Sequence, residues 1–339
     1  MSESAATLAQ VAAHAGVSLA TASRALNGST RKVNAELHDR VLASAAALGY
    51  SANVQAQAVA RGTTNTVAIV VGDIADPYFS SIASGVIRVA DERGLIVTLT
   101  ATGADAAREA ATLTALKGQR PRAVILAGSR QLDAVGAPSG STAELIAIER
   151  GGARVALIGA AAEGLRSVPV QNREGAASLA QALVDRGYDD VVVLAGPENL
   201  LTARDRAAGF LDVVPDALVV PGAFSRDGGY ETMAALLAAG GRPGCVFAVT
   251  DVMALGAMAA MRDAGLTPGI DIAVAGFDDI PLVQDVTPSL TTVALPLAEI
   301  GARALELALA DSPEADPALA MPFEGTVILR ASTPGAGRR

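Results

Sequence analysis

The feature that most constrains this chain is a pair of short helical segments joined at a glycine near the amino terminus. Thr7, with Gln10 three positions later, has the spacing of a capping box, which predicts the start of a helix. Gly16 interrupts the pattern at a point where a tight turn favours a residue that tolerates positive φ, and Ser18 can cap a second helix. The residues expected to pack inward are Leu8, Val11, Ala12, Ala15, Val17, Ala22 and Leu26. We therefore predict a small helix-turn-helix unit.

The second predicted helix leaves one face free for contacts. The residues expected on this face are Leu19, Ala20, Ser23, Arg24 and Asn27. A helix of this size fits the major groove of DNA, where an arginine can donate two hydrogen bonds to guanine. A capped helical hairpin without a DNA partner is the alternative that the pattern alone leaves open.

The charge of the chain is unevenly distributed. The net charge is −9, whereas residues 1–62 carry +2 and the remainder −11. This balance argues against a protein that coats nucleic acid and favours one that contacts DNA through a small module. Two such modules in a homodimer would double the phosphate contacts, so we expect a dimer.

The run from Thr7 to Asn27 resembles the amino-terminal headpiece of the lac repressor family (LacI/GalR). Gln10 and Ala22 stand where that family has Asp and Val, and the similarity continues through a third predicted helix, Asn34–Leu48, to Asn53. The resemblance implies a regulator that binds operator DNA through a headpiece at 1–52. The residues expected to contact DNA are Thr7, Ser18, Leu19, Ala20, Thr21, Ser23, Arg24, Asn27, Asn53 and Val59.

Residues 53–65 contain a short helix-prone stretch followed by a polar break. A helix of this length is marginal by itself. The resemblance implies a hinge helix that forms on operator DNA and places Val59 in the minor groove, although valine is smaller than the usual leucine and Ala52 replaces the usual proline. A plain interdomain linker is the alternative.

From Val67 onward, apolar runs of strand length alternate with helical stretches. The predicted strands are Val67–Val71, Leu95–Leu99, Ala123–Leu126, Arg154–Ile158, Val191–Leu194, Val246–Val249 and Ile272–Ala275. Continuous apolar strands between helices are typical of parallel sheets covered on both faces. The 339 residues exceed one ordinary compact core, and the strands exceed one such sheet, so we predict an α/β protein with two lobes.

The same region resembles the periplasmic-binding-protein-like core of the lac repressor family almost end to end. The matching segments include Asp73–Phe79, Ala203–Phe210, Thr250–Ala257, Val274–Asp279 and Pro288–Val293. The resemblance implies a core at 66–335, with lobe one at about 66–164 and 295–321, lobe two at about 165–294 and 322–335, and a tail at 336–339. The short tail contains no leucine heptad for a tetramer, which favours a dimer.

Polar and aromatic residues follow several predicted strands, where ligands of open α/β sheets bind. Carboxylates and arginine can hydrogen-bond hydroxyl pairs, and an aromatic face can cover the C–H side of a sugar ring. The residues that the strand ends and the resemblance assign to a small-molecule effector, a sugar or sugar derivative, are Asp73, Tyr78, Phe79, Asn172, Arg206, Phe224, Asp251, Phe277 and Asp278. Structural alternatives remain open: Asp278 or Asp279 as a turn cap, Arg204 paired with Asp205 or Asp251, and Phe224 as core. Thr250, Gln171 and Leu295 depart from the family's usual residues, so the resemblance does not imply a common hexose.

Other function classes fit the sequence less well. The start lacks the basic and apolar segments of a secretory signal, and no long apolar run suggests a membrane span, so we expect a cytoplasmic protein. The two histidines, His14 and His38, lie in the headpiece, and with a single Cys they offer neither a catalytic base in the core nor a metal cluster. We predict no cofactor and no enzyme activity, but a ligand-responsive repressor. A transport solute-binding protein and a sugar-modifying enzyme are the alternatives.

Overall fold

The computed structural model describes residues 6–27, 33–50, 63–128, 130–131, 141–311 and 317–336. The chain divides into two compact units, residues 1–64 and 65–339. The described part of the smaller unit is helical, and the larger unit contains parallel sheets and helices. The predicted α/β class with an amino-terminal helix-turn-helix unit is confirmed.

The smaller unit contains α1 (Leu8–His14), α2 (Leu19–Asn27) and α3 (Ala35–Ala47). The capping box at α1 is formed: the Gln10 amide donates to Thr7 Oγ1 (3.3 Å), and the Thr7 amide donates to Gln10 Oε1 (2.8 Å). Gly16 adopts a φ of +63°, as the predicted turn requires. The core of the unit is built around Val11, Ala22 and Val41, each 0% exposed. Helix α3 lies within the range predicted for it.

The larger unit contains two parallel sheets. The strands of the first are β1 (Thr66–Val71), β2 (Ile96–Ala101), β3 (Ala123–Ala127), β4 (Arg154–Ile158) and β5 (Arg166–Val168), in the order β2-β1-β3-β4-β5. Those of the second are β6 (Val191–Ala195), β7 (Leu218–Pro221), β8 (Cys245–Ala248) and β9 (Ala273–Ala275), in the order β7-β6-β8-β9. Two further strands, β10 (Thr292–Ala294) and β11 (Thr326–Ile328), pair antiparallel.

Helices cover both sheets. They are α4 (Pro77–Glu92), α5 (Ala106–Gln119), α6 (Ser141–Arg150), α7 (Asn172–Val184), α8 (Leu201–Leu211), α9 (Arg226–Ala238), α10 (Asp251–Asp263) and α11 (Leu297–Leu309). Short 3-10 turns occur at Pro281–Gln284 and Pro317–Ala320. We call the first sheet with α4–α6 and α11 lobe one, and the second sheet with α7–α10 lobe two.

The structure moves one predicted lobe boundary. Strand β5 pairs with β4 in the first sheet, with Ala156 opposite Arg166 and Ile158 opposite Val168. Residues 166–168 therefore belong to lobe one, whereas the prediction began lobe two at about residue 165. The chain first passes between the lobes just after Val168, where Val170 bridges to Phe323 on the returning chain.

Lobe one is completed by a helix from the carboxy-terminal part of the chain. Helix α11 packs on α4, and a Cβ at Gly85 would collide with the carbonyl of Ala298, while one at Gly301 would collide with the carbonyl of Ile82. The two glycines let the helix backbones touch directly. This contact fixes α4, whose amino-terminal end carries residues of the candidate site.

Candidate functional site

Two adjoining cavities lie in the larger unit between the lobes. The inner cavity, of about 40 Å³, is lined by residues that include Tyr78, Asn172, Arg206, Thr250 and Asp278. The outer cavity, of about 170 Å³, is lined by residues that include Asp73, Leu126, Arg130, Leu145, Leu200 and Val252. Asp76, Phe79, Gly128 and Phe224 border both cavities. A third cavity, of about 110 Å³, shares Asn172 and Thr202 with the inner cavity and Arg130 with the outer one. The three cavities therefore belong to one cleft, of which the inner cavity is the narrow end.

Arg206 on α8 organises the inner cavity. Its side chain is 2% exposed, and it donates from Nε to Asn172 Oδ1 (2.8 Å), from NH1 to the Val249 carbonyl (2.9 Å) and from NH2 to Asp278 Oδ1 (2.7 Å). The guanidinium carbon lies 3.9 Å from the centroid of the Phe277 ring, which covers one face. A planar fork held at three points and by stacking is fixed in orientation, so its remaining N–H groups form a preorganised donor set.

Asp278 occupies a backbone conformation that ordinarily favours glycine. Its φ is +120°, and its carboxylate is buried beside Arg206. Burial raises the pKa of Asp278, and the positive charge of Arg206 opposes that rise. A strained backbone at a buried charged residue is typical of functional sites. The paired carboxylate and guanidinium can together accept from and donate to neighbouring hydroxyl groups.

Two predicted contact residues lie behind the cavity wall instead. Asp251 is 0% exposed: Ile280 N donates to its Oδ2 (2.9 Å), and Thr292 Oγ1 donates to its Oδ1 (2.6 Å). Phe277 is also 0% exposed and lies under Arg206. Neither residue lines the inner or the outer cavity: Asp251 ties α10 to β10 and to the loop after Asp278, and Phe277 supports the guanidinium. Their contact with the effector stays a prediction.

The segment after β1 supplies the lobe-one side of the cleft. Asp76 caps α4 by accepting from the Tyr78 amide (2.9 Å), and Pro77 occupies the first turn. Tyr78 and Phe79 are half-buried and meet edge to face with centroids 5.1 Å apart. Burial raises the pKa of the Tyr78 hydroxyl, so it remains a donor at neutral pH. Asp73 is exposed and borders the outer cavity.

Of the other lobe-two residues considered from the sequence, some border the cleft and others form ion pairs within the protein. Asn172 borders the inner cavity and holds Arg206. Phe224 is half-buried and borders both cavities. Arg204 pairs with Asp205 (3.4 Å), which is one of the structural alternatives left open by the sequence. Asp279 pairs with Arg330 (2.7 Å).

The polar residues of the cleft that the sequence interpretation missed include Asp76, Arg130 and Glu109. Asp76 caps α4 and also borders both cavities. Arg130 follows β3, so the rule that polar groups gather beyond strand ends could have found it. Glu109 lies on α5 and borders the outer cavity. Because it does not directly follow a strand, the same rule could not have identified it.

The predicted DNA-contacting face of α2 is exposed in part. Leu19 is 54% exposed, and Ala20 and Arg24 are also exposed, whereas Thr21 and Ser23 are half-buried. Ser18 caps α2 by accepting from the Thr21 amide (3.1 Å). Thr7 is exposed at the start of α1. Asn53 and Val59 lie outside the described residues, as does the predicted hinge helix; for Asn27 the helical backbone alone is described.

Two kinds of feature are absent from the residues that the structure describes. No helix there is long and apolar enough to cross a membrane. Among the same residues, no group of three or more His, Cys, Asp or Glu residues could hold a metal ion.

Comparison with known proteins links both units to described families. Residues 7–53 match the profile of bacterial regulatory proteins of the lacI family. Residues 180–333 match that of a periplasmic binding protein-like domain. The regulator GalR of Escherichia coli is 31% identical over 90% of this chain and 89% of its own length, and the repressor CytR of the same species is 30% identical over 91% and 90%.

Solved structures show the same architecture over nearly the whole chain. A lac repressor dimer bound to operator and the anti-inducer ONPF aligns with a TM-score of 0.80 at 24% identity, covering 97% of this chain and 99% of that one. A complex of the regulator CelR with cellobiose aligns with a TM-score of 0.66 at 27% identity, covering 96% and 99%. The similarity to GalR and CytR extends through headpiece and core alike, so this chain belongs to the lacI family of bacterial transcriptional regulators.

Proposed function

We propose that this regulator is a repressor that binds operator DNA as a homodimer in the cytoplasm. Its affinity for the operator rises or falls when a sugar or sugar derivative binds in the cleft. In this proposal residues 1–52 form the DNA-binding headpiece, 53–65 the hinge and 66–335 the effector-binding and dimerisation core. The relatives support it: GalR, CytR and the ribose operon repressor of Halalkalibacterium halodurans carry regulatory names, and CelR was solved with cellobiose.

The observation that carries the effector proposal is the Arg206–Asn172–Asp278 group at the narrow end of the cleft. A guanidinium, a carboxylate and an amide held by mutual hydrogen bonds of 2.7–2.8 Å can bind adjacent hydroxyls of a polyol. The half-buried aromatics Tyr78, Phe79 and Phe224 border the same space and can cover apolar ring faces. This mixture of a few fixed polar groups and aromatic walls is typical of small-molecule sites.

The switch follows from the contribution of both lobes to the cleft. Asp76 and Tyr78 belong to lobe one, whereas Arg206 and Asp278 belong to lobe two. A ligand that contacts all four favours one angle between the lobes and shifts the protein toward that state by its difference in affinity. In a homodimer, the lobe angle would set the spacing of the two hinges and thereby the affinity for a two-part operator.

The DNA proposal rests on the exposed face of α2. Leu19 and Ala20 offer apolar contact, for instance to thymine methyl groups, and Arg24 can donate to guanine O6 and N7. Mapping the genomic binding sites of the full-length protein would supply the operator, and the genes beside it would narrow the effector to a metabolite class.

The test of the effector site is a titration of operator binding by that metabolite. Asp278→Ala should abolish the response and leave operator affinity without ligand nearly unchanged, because its carboxylate acts in the cleft. Asp189→Ala removes an equal charge from an exposed position before β6 and should respond like wild type. An Asp278→Ala protein that responds at the wild-type metabolite concentration would exclude the residue from the site. If the wild-type protein binds no operator DNA, the regulatory proposal is refuted.

A further inference from the structure

Basic residues gather at the edge of lobe one where the strands of the first sheet begin. Helices α4, α5 and α6 end at this edge, and short connections lead from them into β2, β3 and β4. We call the last turns of these helices and their connections, residues 89–95, 116–122 and 147–153, the basic edge. It carries five basic residues and three acidic ones. The basic residues, all of them exposed, are Arg93, Lys117, Arg120, Arg122 and Arg150.

The acidic residues of the basic edge neutralise its positive charge only in part. Glu92 is paired with Arg88 one turn earlier in α4 (3.4 Å), and Glu149 is half-buried. Lys117 and Arg122 form no ion pair with any residue that the structure describes. Exposed ammonium and guanidinium groups of this kind can bind the oxygens of a phosphate.

The stability of the helix ends does not explain this composition. Basic residues near the carboxyl end of a helix stabilise its dipole, and helices α7–α10 likewise end where the strands of the second sheet begin. The matching segments of lobe two, residues 181–190, 208–217, 235–244 and 260–272, carry three basic residues and seven acidic ones. The same position in the two lobes therefore has opposite net charge, so the excess of basic residues is a property of lobe one and not of helix ends in general.

The chain that leads from the headpiece joins the core within the basic edge. Asn65 begins the larger unit, and its carbonyl accepts from the Ile96 amide (2.9 Å). The carbonyl of Thr66 accepts from the Arg122 amide (2.7 Å), and the Arg122 carbonyl accepts from the Arg154 amide (3.0 Å). The entry point therefore lies between the connections into β2 and β3. A headpiece bound to DNA tethers this edge to the duplex, and not its acidic counterpart in lobe two.

We propose that the basic edge binds backbone phosphates of the same duplex that the headpiece occupies. This inference rests on the operator binding of the proposed function and adds a second, sequence-independent contact surface on the core. Neighbouring strands lie about 4.8 Å apart, so the four strand starts at this edge span about 15 Å. That length of duplex carries about four phosphates on each strand. Each phosphate that the edge neutralises releases condensed counterions and raises the affinity at low salt.

The test removes two charges from each basic edge of the full-length dimer. Fluorescence anisotropy measures the affinity of wild type and of Lys117→Ala/Arg122→Ala for the operator found by genomic mapping, over a series of salt concentrations. The slope of log affinity against log salt should be less steep in the variant by about 2, because two or more phosphate contacts are lost at about 0.9 each. The affinity deficit of the variant should then be about tenfold larger at about 50 mM salt than at about 200 mM. An unrelated duplex of equal length should show the same change, since phosphates carry no sequence information.

Arg108→Ala/Arg262→Ala is the matched control. It removes the same net charge from two exposed positions outside the basic edge: Arg108 lies in the first turn of α5, at the opposite end from Lys117, and Arg262 lies in the last turn of α10 in lobe two. Because the long-range effect of net charge is the same for both variants, a difference between them reports local contact with DNA. The control should keep the wild-type slope. Thermal unfolding of both variants checks that they fold.

The outcomes separate this inference from the proposed function. Equal slopes for Lys117→Ala/Arg122→Ala and the control would overturn the phosphate contact while leaving operator binding by the headpiece in place, and the edge would then suit an acidic protein surface instead. A loss seen with the operator but not with unrelated DNA would overturn the sequence-independent contact. If the wild-type protein binds neither duplex, operator binding itself is refuted, and this inference fails with it.

Discussion

Thr292→Val should destabilise the protein by an amount that depends on pH, because the lost hydroxyl serves a buried carboxylate. Thr292 and Asp251 are both 0% exposed, and Thr292 Oγ1 donates to Asp251 Oδ1 at 2.6 Å. Valine keeps the shape of the side chain but cannot donate. Asp251 then retains the bond from Ile280 N (2.9 Å) as its other described partner.

Burial raises the pKa of Asp251 from 3.8 to about 6 in the folded protein. Ionisation of Asp251 is therefore less favourable in the folded protein than in the unfolded chain. As the pH rises from about 4 to about 6, this ionisation lowers the free energy of unfolding, and above about pH 6 the lowering stays constant. At pH 7.5 the carboxylate is charged, and a hydrogen bond to a charged group contributes about 1.5–3 kcal/mol. At pH 5 the carboxyl is mostly neutral, and the bond contributes about 0.5–1.5 kcal/mol.

Urea unfolding at fixed protomer concentration measures the difference. The loss of unfolding free energy in Thr292→Val should be about 1 kcal/mol larger at pH 7.5 than at pH 5. Thr102→Val is the control, since Thr102 is 2% exposed and donates to the neutral carbonyl of Val71 (3.2 Å). Its loss should be the same at both pH values. Equal losses for Thr292→Val at the two pH values would refute a charged Asp251 at neutral pH.

Three further outcomes are expected. Arg24→Ala should weaken operator binding by about 1–3 kcal/mol at constant salt while binding to unrelated DNA changes little, and undiminished operator affinity would reject the base contact. Arg206→Lys should raise the effector concentration needed for the response at least tenfold, because one ammonium cannot reproduce the bonds of the fork; an unchanged response would count against the role of this arginine. Gly85→Ala should lower stability by about 1–3 kcal/mol in thermal unfolding, because its Cβ would collide with Ala298; wild-type stability would show that α4 and α11 can separate freely.

Local patterns explain which elements the sequence predicted. The capping box at Thr7, the positive φ at Gly16 and the strand at Val67–Val71 follow from neighbouring residues, and the structure contains all three. The strands that were not predicted are β5, β7, β10 and β11, each three or four residues long. Strand β7 is exposed along most of its length and contains Pro221, so it lacks the buried apolar run that identifies the others.

The sequence likewise predicted some features of the candidate site and not others. The order of residues showed that polar groups such as Arg206 and Asp278 follow separate strands, and that aromatic residues follow β1. It could not show that Asp251 lines neither the inner nor the outer cavity, because its carboxylate is held by Ile280 and Thr292 from distant parts of the chain. Nor could it show the division of the cleft into adjoining cavities of different size. Cavity size depends on how the two lobes pack, which is a property of the tertiary structure alone.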